Sequence, residues 1–215
     1  DEVHQYLQSN IGQQLTDKLQ KQNLLSIGIW DSGFKQLSNN VRPIHTFSDL
    51  KGLNMRIMPS EILEKQFEVM GAYSKKVDFN TVFSELQKGK VDGQENTLSN
   101  ISSKNLHSLQ SYLTISNHGY LGYLVLFNLD FWNSLPSEAH DILESALLEV
   151  QQWEWDLVNE LNAQKLEEIE QCECVEIYTL PEDEKQLWEE AFKPVYRYYR
   201  IHHPIRYMEA LPKFQ

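Results

Sequence analysis

The sequence predicts an α/β fold, and three observations carry that expectation. Between Leu24 and Asn96, short apolar segments of strand length alternate with segments of helical period, the pattern of βαβ units around a parallel sheet. Glycine, proline or Asx residues punctuate them at Asp31-Ser32-Gly33, Arg42-Pro43, Pro59, Gly71 and Gly89. From Ser137 a helical period then runs for about 35 residues, roughly 50 Å if straight. A helix of that length is expected to kink or to bridge two lobes.

The elements follow in order. Leu7, Ile11, Leu15 and Leu19 fall on one helical face of the polar opening stretch. Leu24–Trp30 reads as a buried strand, broken at Asp31-Ser32-Gly33, and Phe34–Val41 as a second extended piece. Ser48-Asp49 caps a helical turn. Asn54–Met58 alternates as a strand that Pro59 stops, and Ser60 caps a helix through Gly71 with Ile62, Leu63, Phe67 and Met70 inward. Val77–Phe79 is a short strand, and Asn80 caps a helix over Thr81–Lys88 that ends at Gly89. Asp92-Gly93 makes a tight turn. Tyr112–Ser116 and Tyr120–Asn128 are strands about a turn at Asn117-His118-Gly119. Leu135-Pro136-Ser137 opens the long helix, with Ile142, Val150, Trp153, Leu157 and Ile169 among its apolar positions. Cys172–Tyr178 reads as a strand, and Pro181 opens a last helix.

The 215 residues carry 19 basic and 31 acidic side chains, a net charge of −12. That balance argues against a surface built for nucleic acid or anionic lipid. The charge is uneven: Ser137–Glu190 holds 17 acids and 2 bases, leaving 14 acids and 17 bases for the rest. An anionic small ligand therefore remains compatible with the chain. No run of about 18 apolar residues exists to span a membrane. Cys172 and Cys174 lie two apart, on one face of a strand, and are expected as two thiols there, since a bridge at that spacing would be strained and a metal needs more ligands than the region offers.

Arg56 is the most informative single residue. It interrupts an apolar strand, so its guanidinium either snorkels to a structural partner or points into a cleft, where its fork grips a carboxylate bidentately. The polar run Asp92-Gly93-Gln94-Glu95-Asn96 lacks the alternating oxygen ligands of a calcium loop. Asp92 and Glu95 have spacing for an acid–base pair, but nothing nearby in the sequence would raise a carboxyl pKa, so a polar loop capping the next helix is the expected reading and an acid–base enzyme is not. His107, His118, His202 and His203 show no metal spacing and read as surface or turn residues. The aromatic and basic tail from Tyr196 to Arg206 reads as helix packing. No phosphate loop or nucleophile elbow is present, and no cofactor is expected.

Taken in order, these pieces carry a resemblance. The segments are Gly33-Phe34-Lys35 through Arg42-Pro43-Ile44, Asp49-Leu50-Lys51-Gly52-Leu53-Asn54-Met55-Arg56, and Met70-Gly71-Ala72. After them come Phe79, then Leu86-Gln87-Lys88-Gly89-Lys90-Val91-Asp92-Gly93-Gln94-Glu95-Asn96, and Ser116-Asn117-His118. From about Leu24 to Tyr199 the chain resembles the solute-binding subunit of tripartite ATP-independent periplasmic (TRAP) transporters, the DctP-type family.

The resemblance implies a two-lobed, periplasmic-binding-protein-like α/β fold with a long lobe-bridging helix. Partial lobe one would be residues 1–33 and 122–161. An essentially complete lobe two would be 34–121 and 162–215. It also implies a non-enzymatic periplasmic receptor that closes on a small organic acid and passes it to TRAP membrane permease subunits. Arg56 would grip the ligand carboxylate, Asn96 would hydrogen-bond the ligand, and Phe79 would line the pocket. Lys35 stands where the family usually has arginine, and a lysine cannot repeat a bidentate grip. Thr97 stands where proline is common. Typical members have a long section before the helix that opens this chain, so lobe one is expected to be incomplete and to allow self-association. A ligand-sensing module and a truncated form that binds nothing are the alternative readings.

Overall fold

A computed structural model of the protein describes residues 2–202. The expected tail of lobe two, 203–215, lies outside the described residues. The chain opens with α1 (Glu2–Gln8) and α2 (Asn10–Thr16), which part at Ser9, whose hydroxyl accepts the N–H groups of Ile11 and Gly12. The expected continuous face from Leu7 to Leu19 is thus interrupted, and Asp17–Gln22 tightens to a 3-10 turn. Next comes β1 (Leu24–Asn39), a single strand of 16 residues. The expected break at Asp31–Gly33 is absent, because Gly33 takes φ +102 within the strand, a conformation open to a residue without Cβ.

After β2 (Asn54–Ile57), Ser60 caps α3 (Glu61–Val69) through its hydroxyl on the Leu63 N–H. The following strand is β3 (Tyr73–Lys76), not Val77–Phe79. Residues 73–76 pair in parallel register with Asn54–Ile57, and Asp78 then turns the chain by accepting the Asn80 N–H. Phe79 therefore sits in a turn, and Thr81, not Asn80, is the N-cap of α4 (Val82–Gln87). The polar run expected as a loop is β4 (Gly93–Thr97), buried at every position.

The chain continues through α5 (Leu98–Ser103), β5 (Tyr112–Ile115), β6 (Tyr120–Asn128) and α6 (Leu129–Ser134). The long helix, α7 (Ser137–Gln171), is unbroken over 35 residues. It is followed by β7 (Glu176–Thr179) and α8 (Glu182–His202). Cys172 and Cys174 lie ahead of β7 in a turn where Glu173 takes φ 51, and they form a disulfide with Cα atoms 5.1 Å apart. The expectation of two strand thiols was wrong: one left-handed residue folds the chain back sharply enough to bring the sulfurs together.

Two compact units emerge. The second, Gly33–Leu121 with Glu160–His202, is built on strand order β3-β2-β4-β1-β5-β7, taking β1 from Gly33 onward. Pairs β2–β3, β2–β4 and β5–β7 are parallel, whereas β1 runs antiparallel to β4 and β5, so the sheet is mixed. One face carries Leu37, Met55 and Ile57 against Phe67 of α3 and Trp188 and Phe192 of α8. The other carries Leu113 and Ile115 against Val82, Ile101 and Ile169. Phe67 and Met55 are fully buried, and each such side chain stabilises by about 1.5–3 kcal/mol.

The first unit combines residues 2–32 with Gly122–Asn159. Here α7 supplies hydrogen-bond partners to the backbone of β1. Gln151 accepts the Ile29 N–H at 2.7 Å, Trp155 donates to the Ile29 carbonyl at 2.9 Å, and Glu154 accepts the Asp31 N–H at 2.9 Å. His4 stacks on Trp155 at 3.8 Å. Apolar positions expected inward on this stretch, Ile142, Val150, Trp153 and Leu157, are exposed, as are its acids Glu138, Asp141, Glu144, Glu149 and Asp156.

Candidate functional site

All four residues singled out in the sequence lie in the second unit. Arg56 is central to β2, pairs with Gln94 of β4 and Lys75 of β3, and is 3% exposed. Its Nε donates to the Val77 carbonyl at 2.9 Å, which fixes the plane of the fork. That is the one hydrogen bond Arg56 makes among the described residues, so its terminal nitrogens keep their donors. Burial lowers the Arg56 pKa, opposed by the nearby negative charges of Glu95 and Asp78, yet a guanidinium stays charged at any ordinary pH.

Asn96 is buried on β4. Its Oδ1 accepts the Thr97 N–H at 3.0 Å and the Asn100 amide at 2.8 Å. The acceptor half of the side chain is therefore used internally, and Nδ2 has no hydrogen bond among the described residues. What Asn96 offers a ligand is a donor, which suits an anion. Phe79 is half-buried against the second core cluster, with the Lys104 ammonium 5.0 Å from its ring centre.

Side chains alternate across a strand. The register therefore puts Arg56, Gln94 and Asn96 on one face of the sheet and Lys35, Leu37 and Glu95 on the other. Lys35 is not a free cation. Its Nζ lies 2.7 Å from Glu95 Oε1, with both side chains almost fully buried. The other Glu95 oxygen meets His118 Nε2 at 3.1 Å, and His118 Nδ1 meets Ser116 Oγ at 2.7 Å. Burial pushes the Glu95 carboxyl upward, but His118 and Lys35 outweigh it and hold the group below the usual carboxylate range.

This network is the part that residue patterns missed. His118, expected at a surface turn, has a side chain only 1% exposed. The available signal was the spacing of Ser116 and His118, which places both on one side of an extended chain. Asp92 does not pair with Glu95: its carboxylate accepts the Asn54 N–H at 2.7 Å and ties the start of β4 to β2. An acid–base catalyst needs a carboxyl tuned toward neutrality, and Glu95 is tuned the opposite way.

Residues 1–202 match the DctP family, bacterial extracellular solute-binding protein, family 7. The chain belongs to that family, whose members are solute-binding proteins of transporters and not enzymes. It is 43% identical over 197 residues to the C4-dicarboxylate-binding protein DctB of Bacillus subtilis, covering 92% of this chain and 56% of the relative. It is 35% identical over 194 residues to the C4-dicarboxylate-binding periplasmic protein DctP of Rhodobacter capsulatus, covering 90% and 58%. The crystal structure of a TRAP periplasmic solute-binding protein from Shewanella oneidensis with bound succinate superposes with a TM-score of 0.92 at 33% identity, over 98% of this chain and 68% of that one. The chain thus spans under three fifths of the length of these two curated relatives. Among the described residues no helix is long and apolar enough to cross a membrane.

Proposed function

We propose that this chain is the solute-binding part of a periplasmic TRAP receptor, that its ligand is a C4-dicarboxylate of the succinate type, and that it delivers the ligand to a membrane permease. The observation that carries the reading is the state of Arg56. A buried guanidinium, held in one plane by Val77, keeps two terminal nitrogens in the parallel arrangement that a carboxylate accepts. The free amide donor of Asn96 projects from the same sheet face, and Phe79 provides an apolar wall for the methylene carbons between two carboxylates. Lys35 is already neutralised by Glu95, so its part is to hold Glu95 in place. The names of the relatives and the succinate-bound neighbour support the ligand class.

Calorimetric titration of the intact protein with succinate, malate, a monocarboxylate of equal length and the neutral diamide tests this. Dicarboxylates should bind in a one-to-one ratio, the monocarboxylate far more weakly and the diamide not at all. Equal binding of the diamide would refute a guanidinium–carboxylate contact.

A further inference from the structure

Away from Arg56, the second unit holds three soft donor groups in one place. A ring nitrogen of His107 and the sulfurs of Cys172 and Cys174 lie within 4.8 Å of one another. They come from two elements. Asn105, at φ 52, opens the 3-10 turn Leu106–Leu109 that carries His107, and the cysteines flank left-handed Glu173 beyond the end of α7. His107 Nδ1 is buried and has no hydrogen-bond partner. A buried polar atom without a partner is costly and calls for an explanation, and the ring that carries it lies beside two sulfurs. The carboxylate of Glu168 is close enough to feel His107: its pKa is lowered first by Lys165 and in part by His107.

The bridge itself is poorly suited to be a staple. Stabilisation by a disulfide grows with the loop it closes, and this one closes a single intervening residue. Both cysteines are exposed, so a thiolate can reach the sulfur it must attack.

We infer that His107, Cys172 and Cys174 form a redox-gated site for a thiophilic d10 cation of the Zn2+ type, closed as the disulfide and open as the dithiol. A dithiol reductant attacks one sulfur and breaks the Cys172–Cys174 bond. The mixed disulfide then resolves as the reductant's second thiol displaces the remaining cysteine. Two electrons and two protons pass to the protein, and the reductant leaves as its own disulfide. The cation then displaces the two thiol protons and takes the lone pair of His107 Nδ1, with the ring proton on Nε2. Three protein ligands leave one position of a tetrahedral ion to water. Ligand capture at Arg56 plays no part in this site.

The test is metal uptake by the intact protein, once as isolated and once reduced with a dithiol that is then removed under anaerobic conditions. Zn2+ is titrated against a chromophoric chelator, and Co2+ is used as a spectroscopic probe. Reduced protein should bind one equivalent of Zn2+ and give thiolate-to-cobalt charge-transfer absorption with tetrahedral visible bands. The disulfide form should bind at least about tenfold more weakly, and His107→Ala and His107→Gln should each lose at least about tenfold in the reduced state. Cys172→Ser should abolish the charge-transfer band while the circular dichroism spectrum stays unchanged. No uptake on reduction, equal uptake by the disulfide form, or uptake unaffected by both His107 variants would overturn the assignment. The cobalt spectrum of the unmutated protein decides the matter even if a variant fails to fold.

Discussion

Arg56 donates its Nε–H to the carbonyl of Val77 at 2.9 Å, and that bond aims the guanidinium of the central residue of β2. Val77 lies one residue past β3, where its own N–H still bonds the Ile57 carbonyl at 3.1 Å. The strand pair that builds the sheet edge therefore also orients the fork.

Removing that fork should be costly. Truncating one member of a desolvated, hydrogen-bonded charge pair loses about 2–5 kcal/mol, or roughly 30-fold to several thousand-fold in affinity. Arg56→Ala should lose succinate binding by that factor in calorimetry. Arg56→Lys should also bind poorly, because a point charge lacks two parallel donors. Binding by Arg56→Ala within about threefold of the unmutated protein would show that the carboxylate sits elsewhere.

The Lys35–Glu95 pair should govern stability in acid. The Glu95 pKa is lowered in the folded state from an ordinary 4.5. Its contribution is therefore complete above about pH 4.5 and is lost as pH falls through the lower folded value. Glu95→Gln strands a buried ammonium and should destabilise by about 3–5 kcal/mol at neutral pH, while flattening the acid limb of the stability profile. Adding Lys35→Met should restore much of the loss, since the two residues act as a unit. Urea unfolding across pH reads both effects. A single-variant loss below about 1 kcal/mol would mean that the pair is not isolated from water.

The sheet and the site differed in how legible they were, and β4 shows why. Its residues Gly93-Gln94-Glu95-Asn96-Thr97 have turn-forming polar composition, yet they form a fully buried strand. Partners far away in sequence take up two of their side chains: Ser38 accepts from the Gln94 amide at 2.8 Å, and Glu95 meets Lys35 and His118. Local propensity cannot register a partner 56 residues away. The long helix was legible because its period and its caps are local, and its bounds fall where the pattern placed them. The exposure of Ile142 and Trp153 was not legible, since whether a helix face is covered is no property of the helix itself. Arg56 stood out because a lone cation in an apolar strand is a local anomaly, whereas the role of His118 needed the fold.

Gly93 should tolerate no side chain. A Cβ there would stand 2.1 Å from the Ser38 carbonyl oxygen and 2.7 Å from Asn39 Cβ, contacts that only a backbone shift relieves. Overpacking of this kind costs about 1–3 kcal/mol and more where the backbone must move. Gly93→Ala should lose at least that much in urea unfolding. It should also weaken hydrogen-exchange protection across β1 and β4, whose register pairs Asn39 with Gly93. A variant as stable as the parent would show that the two strands can separate slightly without loss.

The first unit predicts association. Tyr123, Leu124 and Leu126 of β6, Phe131 of α6, and Leu148 and Trp153 of α7 are all more than 40% exposed. Single exposed apolar residues are ordinary, but several on one unit favour association with another polypeptide, and a strand rich in them invites pairing. The second unit has core clusters filled on both sheet faces. The polypeptide of this sequence, prepared alone, should therefore self-associate at micromolar concentration in light scattering. Leu126→Lys combined with Trp153→Glu should shift it toward monomer without loss of the second unit's hydrogen-exchange protection. If the unmutated polypeptide is instead a monodisperse monomer, with β6 as protected as β4 and β5, the apolar face is stable in water and the prediction fails.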